Sequence, residues 1–172
     1  MLFRSKKILV IGCPGAGKSV FSRRLSKILG IPVYHLDMVY WKPDVTEVSR
    51  EVFDERITEI MKRAEWIMDG NYGRTLRYRL SFADTVFYLD LPVEVCLASI
   101  QERVGTVRDD LPWVEETLEP EFREYVRQFP DNQAVRIKEA LNDSRNVDII
   151  RFTSREEVNS YLDRLENDNR SI

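Results

Sequence analysis

The chain has 172 residues, and its 26 Lys and Arg against 29 Asp and Glu give a formal net charge of −3. With 43% hydrophobic residues and only 7 Gly and 7 Pro, the composition indicates one globular domain over residues 1–172 and excludes a disordered or collagen-like chain. Lys and Arg are interleaved with Asp and Glu, so no basic stripe attracts phosphate backbones or anionic lipid. Direct DNA binding and a membrane-surface role are therefore not expected.

The cysteines and the short apolar runs bear on the compartment. Cys13 and Cys96 lie far apart in sequence, with no C-x-x-C or metal-ligand spacing, which favours a reducing cytoplasm. The apolar run at residues 8–11 is shorter than the roughly 7–15 apolar residues of a signal peptide. No uncharged run approaches the ~20 residues that a membrane-spanning helix requires. We predict a soluble, unprocessed cytoplasmic protein.

Apolar runs of strand length alternate with helical patterns, which is typical of a parallel α/β sheet buried on both faces. Strands are predicted at residues 7–11, 33–36, 66–68, 85–91 and 147–152. Helices are predicted between them: Gly30 ends the first, Pro92 lies in the first turn of another, and a capping box from Ser154 to Glu157 opens the last. Residues 167–172 are predicted to be a frayed tail.

Two segments exceed a minimal alternation of strands and helices and are predicted to be insertions on one edge of the sheet. The first, about 38–64, begins with Tyr40 and Trp41 and continues into a helix. The apolar residues of that helix recur at helical spacing: Phe53, Ile57, Ile60 and Met61. The second segment, about 105–118, is short, charged and broken by proline, and helices are predicted after it at 120–129 and 131–141.

A phosphate-binding loop follows the first strand. Residues 12–19 match G-x-x-x-x-G-K-[ST] between a predicted strand and a predicted helix, as the motif requires. Glycines let successive backbone N–H groups turn inward around an anion, and the helix adds its positive end. A chance match in a glycine-containing turn is the alternative, against which this context argues. The predicted cofactor-binding residues of the loop are Gly12, Cys13, Pro14, Gly15, Ala16, Gly17, Lys18, Ser19 and Val20.

Three of these side chains have individual expectations. Lys18 is expected to reach the outer phosphates of ATP as a point charge, and the Ser19 hydroxyl to ligate Mg²⁺. Cys13 is either a reactive thiolate, which backbone amides and Lys18 would favour, or a filler at a variable position of the motif. The loop therefore predicts binding of a nucleoside triphosphate with Mg²⁺.

The remaining motifs narrow the class of nucleotide-binding protein. Neither an N-K-x-D guanine-binding motif nor an L-S-G-G-Q transporter signature is present. Distinctive motifs occur at residues 34–37 (Y-H-L-D), 40–43 (Y-W-K-P) and 65–73 (E-W-I-M-D-G-N-Y-G). Together with the phosphate loop they resemble the adenylate kinase-like group of small P-loop kinases, and most closely the bacterial family labelled DNA topology modulation protein. The resemblance covers nearly the whole chain.

That resemblance implies a fold and an activity. The fold is a three-layer P-loop kinase fold, in which a five-stranded parallel sheet has helices on both faces, a short lid at about 105–118 and a substrate-binding insertion at about 38–64. The activity is Mg²⁺-dependent transfer of the γ-phosphoryl group of ATP to a small acceptor. The alternative, suggested by the family label, is a nucleotide-dependent regulatory or DNA-associated protein.

Two carboxylates are predicted to lie at strand ends, where ligands gather in such sheets. Asp69 is expected to hold a water of Mg²⁺ near Ser19; the alternative is a turn aspartate before Gly70. Asp37 is expected to orient or deprotonate an acceptor hydroxyl, or alternatively to cap the following turn. By strand alternation His35 shares a face with Asp37 and is predicted to be structural.

Arginines complete the predicted site. By the resemblance, Arg74 corresponds to an arginine that grips a phosphate, for which a planar guanidinium is suited. Arg103 is predicted to bind the nucleotide, and Arg108 to close with the lid over the transferring phosphoryl group. A solvated charged face is the alternative for both lid arginines.

The acceptor is not named by the sequence. Tyr40 and Trp41 either line an acceptor pocket or plug the insertion helix onto the sheet. Because the lid has few arginines and Asp37 is followed by this aromatic pair, a hydroxylated or nucleoside-like acceptor is favoured over a nucleoside monophosphate. The oligomeric state is not indicated.

Overall fold

Five parallel strands form one sheet in the order β2-β3-β1-β4-β5 in the computed structural model, which describes residues 3–170. The strands are β1 (Lys7–Gly12), β2 (Val33–His35), β3 (Trp66–Asp69), β4 (Thr85–Leu89) and β5 (Asp148–Phe152). Nearly every residue of β1, β3 and β4 is buried. Since successive side chains of a strand point to opposite faces, the central strands are covered on both sides. The predicted three-layer α/β fold is confirmed.

Eight helices are present among the described residues: α1 (Lys18–Leu29), α2 (Leu36–Tyr40), α3 (Arg50–Met61), α4 (Gly73–Leu80), α5 (Val93–Arg103), α6 (Pro120–Arg127), α7 (Gln133–Asp143) and α8 (Arg155–Arg170). Gly30 ends α1 in the left-handed conformation, with φ of 72°, as predicted. The residues of α3 that are buried are those given by the predicted spacing: Phe53, Ile57, Ile60 and Met61. Among residues 3–170, no helix is both long and apolar enough to cross a membrane.

The second strand is shorter than predicted, and this moves a candidate site residue. β2 ends at His35, and the chain turns at once into α2, which buries Leu36 completely. The carbonyl of Asp37 accepts a hydrogen bond from the Trp41 amide at 3.0 Å. The prediction that Asp37 ends a strand and shares a strand face with His35 is therefore wrong; Asp37 lies in the first turn of a short helix.

Several other boundaries differ from the prediction, most by one or two residues. β4 ends at Leu89 rather than residue 91, and the chain enters α5 through Pro92, which has no N–H to donate to a neighbouring strand. The predicted frayed tail is helical to Arg170, because the Asn169 side chain donates to the Ile28 carbonyl at 2.5 Å and Arg170 pairs with Glu166. Residues 171 and 172 of that predicted tail lie outside the described residues.

The two predicted insertions border the carboxyl ends of the strands. Residues 38–64 contain most of α2, a loop bridged between Trp41 and Glu47, and α3, and they connect the edge strand β2 to β3. Residues 105–118, which we call the lid, join α5 to α6 without a helix or strand of their own. Both segments contribute to the wall of one cavity.

Candidate active site

A cavity of about 1120 Å³ opens beside the phosphate loop, with further walls from α2, the end of β3 and the lid. Most of the predicted site residues line it: Pro14, Gly15, Gly17, Lys18, Ser19, Val20, Asp37, Asp69, Arg103 and Arg108. Gly12, Cys13 and Ala16 lie buried behind the loop surface and contribute through the backbone. Of the predicted set, only Arg74 lies elsewhere.

The loop conformation depends on glycine at two closely packed positions. Gly12 continues the β1 ladder beside Leu89, and a Cβ there would lie 2.3 Å from the Leu89 carbonyl oxygen. Gly15 has a φ of +84°, and a Cβ there would lie 2.2 Å from the carbonyl oxygen of Cys96. Because both neighbours are backbone atoms, neither can move aside. The loop is thus fixed against β4 and α5 while its amides remain available for an anion.

Asn71 fixes the start of the loop from the neighbouring strand end. Its Oδ1 accepts from the Gly12 amide at 3.0 Å, and its Nδ2 donates to the Gly12 carbonyl at 2.7 Å. The same carbonyl accepts from Lys18 Nζ at 2.9 Å. No role was predicted for Asn71, although its position two residues after β3, beside the expected crevice, was a usable signal.

Lys18 folds back over the loop. Besides Gly12, its ammonium donates to the Cys13 carbonyl at 3.2 Å. Burial lowers the pKa of Lys18 below its ordinary value, and the negative charge of Asp37 opposes that change. The positive charge is therefore held at the inner wall of the cavity, where an outer phosphate would be stabilised by it.

Asp37 lines the same cavity from α2 and is held by a tyrosine for which no role was predicted. The Tyr72 hydroxyl donates to Asp37 Oδ1 at 2.5 Å. No hydrogen bond to Oδ2 is found among residues 3–170. Burial raises the pKa of Asp37, while the bond from Tyr72 and the charge of Lys18 lower it. The carboxylate thus has one oxygen anchored and one available.

Aromatic rings line part of the same cavity. Trp41, Tyr72 and Trp113 line the cavity, and the rings of Trp41 and Trp113 meet edge to face with centroids 5.3 Å apart. Tyr40 instead packs between Phe53 and Tyr72, at 5.1 and 5.0 Å. Tyr40 and Trp41 therefore differ in position: Trp41 lines the cavity, whereas Tyr40 packs against Phe53 of α3.

Asp69 ends β3 and lines the cavity, and it is 4% exposed. Its Oδ2 lies 2.6 Å from Nδ1 of His35, which ends the adjacent strand. His35 thus orients Asp69, a more specific role than the general structural one predicted for it.

The lid carries a network of side-chain ion pairs. Arg108 holds Asp110 through two bonds, Nε to Oδ1 at 3.1 Å and Nη2 to Oδ2 at 2.6 Å, and donates to Glu115 at 2.8 Å. Asp110 Oδ2 also accepts from Ser19 Oγ at 2.7 Å. The Nε of Arg103 is buried 3.7 Å from Glu115 and has no hydrogen-bond partner within the described part of the chain. Both arginines face the cavity, which contrasts with the alternative of a solvated charged face.

Arg74 is not brought to the others. It lies at the start of α4 and donates to both carboxylate oxygens of Asp54 in α3, at 3.1 and 2.6 Å. About half of each side chain is exposed. The structure therefore places this predicted catalytic residue outside the cavity, because its side chain is directed to Asp54 in α3.

Cys13 and Cys96 are distant in sequence but adjacent in the fold, and both are free, buried thiols. A hydrogen bond with Cys96, together with burial, raises the pKa of Cys13. Cys13 is therefore a neutral thiol at physiological pH, which favours the interpretation of a filler over a reactive thiolate.

The donor set can be compared with what Mg²⁺ requires. Among residues 3–170 no three His, Cys, Asp or Glu side chains converge on one point. Mg²⁺ typically keeps several waters and binds through substrate phosphates with one or two protein oxygens. The Ser19 hydroxyl and the Asp69 carboxylate both line the cavity, and these two oxygen donors fit that requirement.

The sheet order and the phosphate loop at the end of β1 define the fold of the P-loop kinases. Solved structures with this fold include a shikimate kinase from Bacteroides thetaiotaomicron, with a TM-score of 0.65, 14% identity and coverage of 95% of this chain and 98% of that one. A shikimate kinase from Acinetobacter baumannii in complex with shikimate has a TM-score of 0.60, 19% identity and coverage of 95% and 94%. A deoxyadenosine kinase from M. mycoides has a TM-score of 0.55 and 18% identity, with coverage of 95% of this chain and 98% of that one.

Sequence similarity is confined to part of the chain. The adenylate kinase of Thermotoga petrophila is 32% identical over 77 residues, which cover 45% of this chain and 34% of that protein. The adenylate kinase of Thermotoga neapolitana is 29% identical over a segment of the same length. The chain thus spans about a third of the length of the curated relatives it matches, and no family model matches it. The resemblance to the family labelled DNA topology modulation protein stays a prediction.

Proposed function

We propose that this protein is a kinase that transfers the γ-phosphoryl group of ATP, with Mg²⁺, to a hydroxyl group of a small molecule. One observation carries the proposal: Lys18 on the phosphate loop and the carboxylate of Asp37 face the same cavity. The volume of this cavity, about 1120 Å³, exceeds the roughly 300–1,000 Å³ typical of ligand pockets. The cavity therefore has room for a nucleotide and an acceptor at the same time.

The nucleotide side consists of groups that stabilise negative charge. Backbone amides of the loop surround the phosphates, and Lys18 exchanges its carbonyl partners for a phosphate oxygen. Arg103 offers a buried N–H that has no hydrogen-bond partner among residues 3–170. Ser19 and Asp69 would hold Mg²⁺, which when bound neutralises charge on the β- and γ-phosphates. The adenylate kinase relatives support a nucleotide triphosphate as donor.

The acceptor side supplies a base. Oδ1 of Asp37 is occupied by Tyr72, and Oδ2 is available for an acceptor hydroxyl. The hydroxyl oxygen forms a bond to the γ-phosphorus, its proton passes to Asp37, and the bond from the γ-phosphorus to ADP breaks. Trp41 and Trp113 provide apolar walls for an acceptor with a ring or hydrocarbon surface.

The lid provides charge at the reacting centre. Arg108 is only 15% exposed and faces the cavity from a segment without helix or strand. Such a segment can shift on substrate binding, and its guanidinium then neutralises charge that develops on the transferring group. Catalysis is mainly positioning and charge neutralisation.

An ADP-release assay tests the activity directly. Purified protein is given Mg²⁺ and ATP with a panel of hydroxylated metabolites, nucleosides and nucleoside monophosphates. We expect at least one hydroxylated compound to stimulate release. Tight nucleotide binding without release for any acceptor would instead favour the regulatory or DNA-associated alternative, for which retardation of duplex DNA at low salt is the companion measurement.

Calorimetric titration with Mg²⁺ and ATP tests the role of the loop. Lys18→Ala removes the charge that faces the phosphates and should largely abolish binding. Lys27→Ala, in the exposed last turn of α1, is the matched control and should bind as wild type does. An unchanged isotherm for Lys18→Ala would contradict the role assigned to this residue.

A further inference from the structure

The hydroxyl of Ser19 has a partner from the lid. Its Oγ donates to Asp110 Oδ2 at 2.7 Å, although the two residues are 91 positions apart in the chain. From the sequence, the carboxylate near the metal was predicted to be Asp69, at the end of β3. In the structure Oδ2 of that residue faces His35 at 2.6 Å, and the hydrogen bond of Ser19 goes to Asp110.

Asp110 is held firmly in this position. The two bonds from Arg108, at 3.1 and 2.6 Å, fix the plane of the carboxylate, and only 5% of Asp110 is exposed. Both oxygens of the carboxylate face the Arg108 guanidinium, which can only donate, so Asp110 acts as an acceptor toward it. The remaining bond runs from the Ser19 hydroxyl, which donates to Oδ2.

The direction of that bond determines what the serine oxygen can do next. A hydroxyl has one proton to donate and two lone pairs. With the proton committed to Asp110, the lone pairs of Ser19 face away from the lid carboxylate and remain available to a cation. A hydroxyl without such an acceptor rotates, and its proton then competes for the same space.

We propose that Asp110 is a positioning residue for Mg²⁺: by accepting the Ser19 proton it orients the serine lone pairs toward the cation, and it thereby couples lid placement to metal-assisted nucleotide binding. This inference rests on the proposed function, since it assumes that the loop binds ATP with Mg²⁺. Residues that orient a metal ligand typically change metal affinity by about 10–100-fold when substituted.

A purely structural role for Asp110 predicts something different. If it served only as the partner of Arg108 that keeps the lid in place, its loss would alter nucleotide affinity equally with and without metal. The informative quantity is therefore the metal gain, which we define as the ratio of Kd in EDTA to Kd in Mg²⁺ for a non-hydrolysable ATP analogue.

Calorimetry gives the metal gain for wild type, Asp110→Asn, Ser19→Ala and the double variant. We expect Asp110→Asn to lower it by about tenfold or more and to change the Kd in EDTA little. The double variant should show no loss beyond that of Ser19→Ala, because the carboxylate acts through this hydroxyl. Asp131→Asn, an exposed carboxylate outside the cavity with the same change of charge, is the control and should keep the wild-type gain.

Each other outcome has a definite meaning. A wild-type metal gain in Asp110→Asn, or losses that add fully in the double variant, would overturn the inference. No binding by wild type at all would defeat the proposed function and this inference with it. If circular dichroism shows that Asp110→Asn is unfolded, Arg108→Lys replaces it: this variant keeps the charge but removes the fork that orients Asp110, and it should lower the metal gain likewise. A wild-type metal gain in Arg108→Lys would also overturn the inference.

Discussion

The phosphate loop and the lid line one cavity and meet at the Ser19–Asp110 hydrogen bond, but their conformations are held by different forces. The loop is fixed by contacts to its backbone: Gly15 lies against the Cys96 carbonyl, and the Asn71 side chain bonds the Gly12 amide and carbonyl. Within the lid, ionised side chains pair with one another, above all Arg108 with Asp110 and Glu115. One wall therefore depends on the shape of the chain and the other on charge.

This difference assigns the two walls different tasks. A backbone cradle is already in the shape that a triphosphate requires and changes little on binding. Ion pairs between partly buried side chains are strong only while both partners stay in place, so a ligand that competes for Arg108 can rearrange the lid. The loop is therefore suited to binding a triphosphate without changing shape, and the lid to moving when a ligand binds.

The largest effect is expected from the acceptor wall. Asp37→Asn removes the base and should lower kcat by roughly 10²–10⁴, while ATP affinity stays close to wild type because the loop is intact. Steady-state ADP release and calorimetry measure the two quantities. Asp131→Asn, an exposed carboxylate outside the cavity, is the control. Full turnover by Asp37→Asn would remove this residue from the chemistry.

The next effect sharpens the account of the loop as a backbone structure. Gly15→Ala combines left-handed strain with a Cβ 2.2 Å from a carbonyl oxygen, and should lower the free energy of unfolding by about 2–5 kcal/mol. Gly30→Ala is a matched control, since its φ of +72° carries strain but no atom lies within 4 Å of the added Cβ; about 1–2 kcal/mol is expected. Urea unfolding measures both. Equal losses would show that the close contact with Cys96 is unimportant.

A smaller change tests the electrostatics of Asp37. Burial raises the pKa of this carboxyl and the Tyr72 hydrogen bond lowers it, so Tyr72→Phe should raise it further. The base acts in its ionised form, so kcat/KM falls as pH drops through this pKa, and the acidic limb of the profile should move to higher pH. Tyr78→Phe, exposed on α4, serves for comparison. A limb that stays in place or moves to lower pH would contradict the role of Tyr72.

The smallest effect is expected outside the cavity. Arg74 and Asp54 form an ion pair about half exposed, of a kind that contributes roughly 0.2–1 kcal/mol. Arg74→Ala should therefore cause at most that loss of stability and change kcat/KM less than about twofold. Initial-rate kinetics with hydroxylated and monophosphate acceptors measure this. A selective rise in KM for a monophosphate would restore the phosphate-gripping role that the sequence suggested.

Much of the fold could be predicted from the sequence because its determinants are local. The five strands are short apolar runs, and residues 12–19 carry both their conformation and their chemistry in consecutive positions. The spacing of the α3 residues Phe53 and Ile57 likewise identified the buried face of that helix. Where a structural feature is determined by residues close together in the chain, the sequence pattern predicts it correctly.

The rest of the site depends on contacts between distant segments. Nothing near Ser19 indicates Asp110, because the lid that carries it has no periodic pattern. Asp37 could not be placed in a helix from its sequence, since α2 is only five residues long and follows the strand without a break. Arg74 was assigned by resemblance, and its partner Asp54 lies 20 positions away on another helix.

The meeting of Trp41 and Trp113 has an optical consequence. The chain has three tryptophans, and the third, Trp66, is fully buried at the start of β3. Trp41 directly follows α2, and Trp113 belongs to the lid. The centroids of their rings are 5.3 Å apart. Separation of these rings would change their exposure to water, while Trp66 would contribute a constant background. The tryptophan fluorescence of the unlabelled protein therefore reports whether the lid is in contact with Trp41.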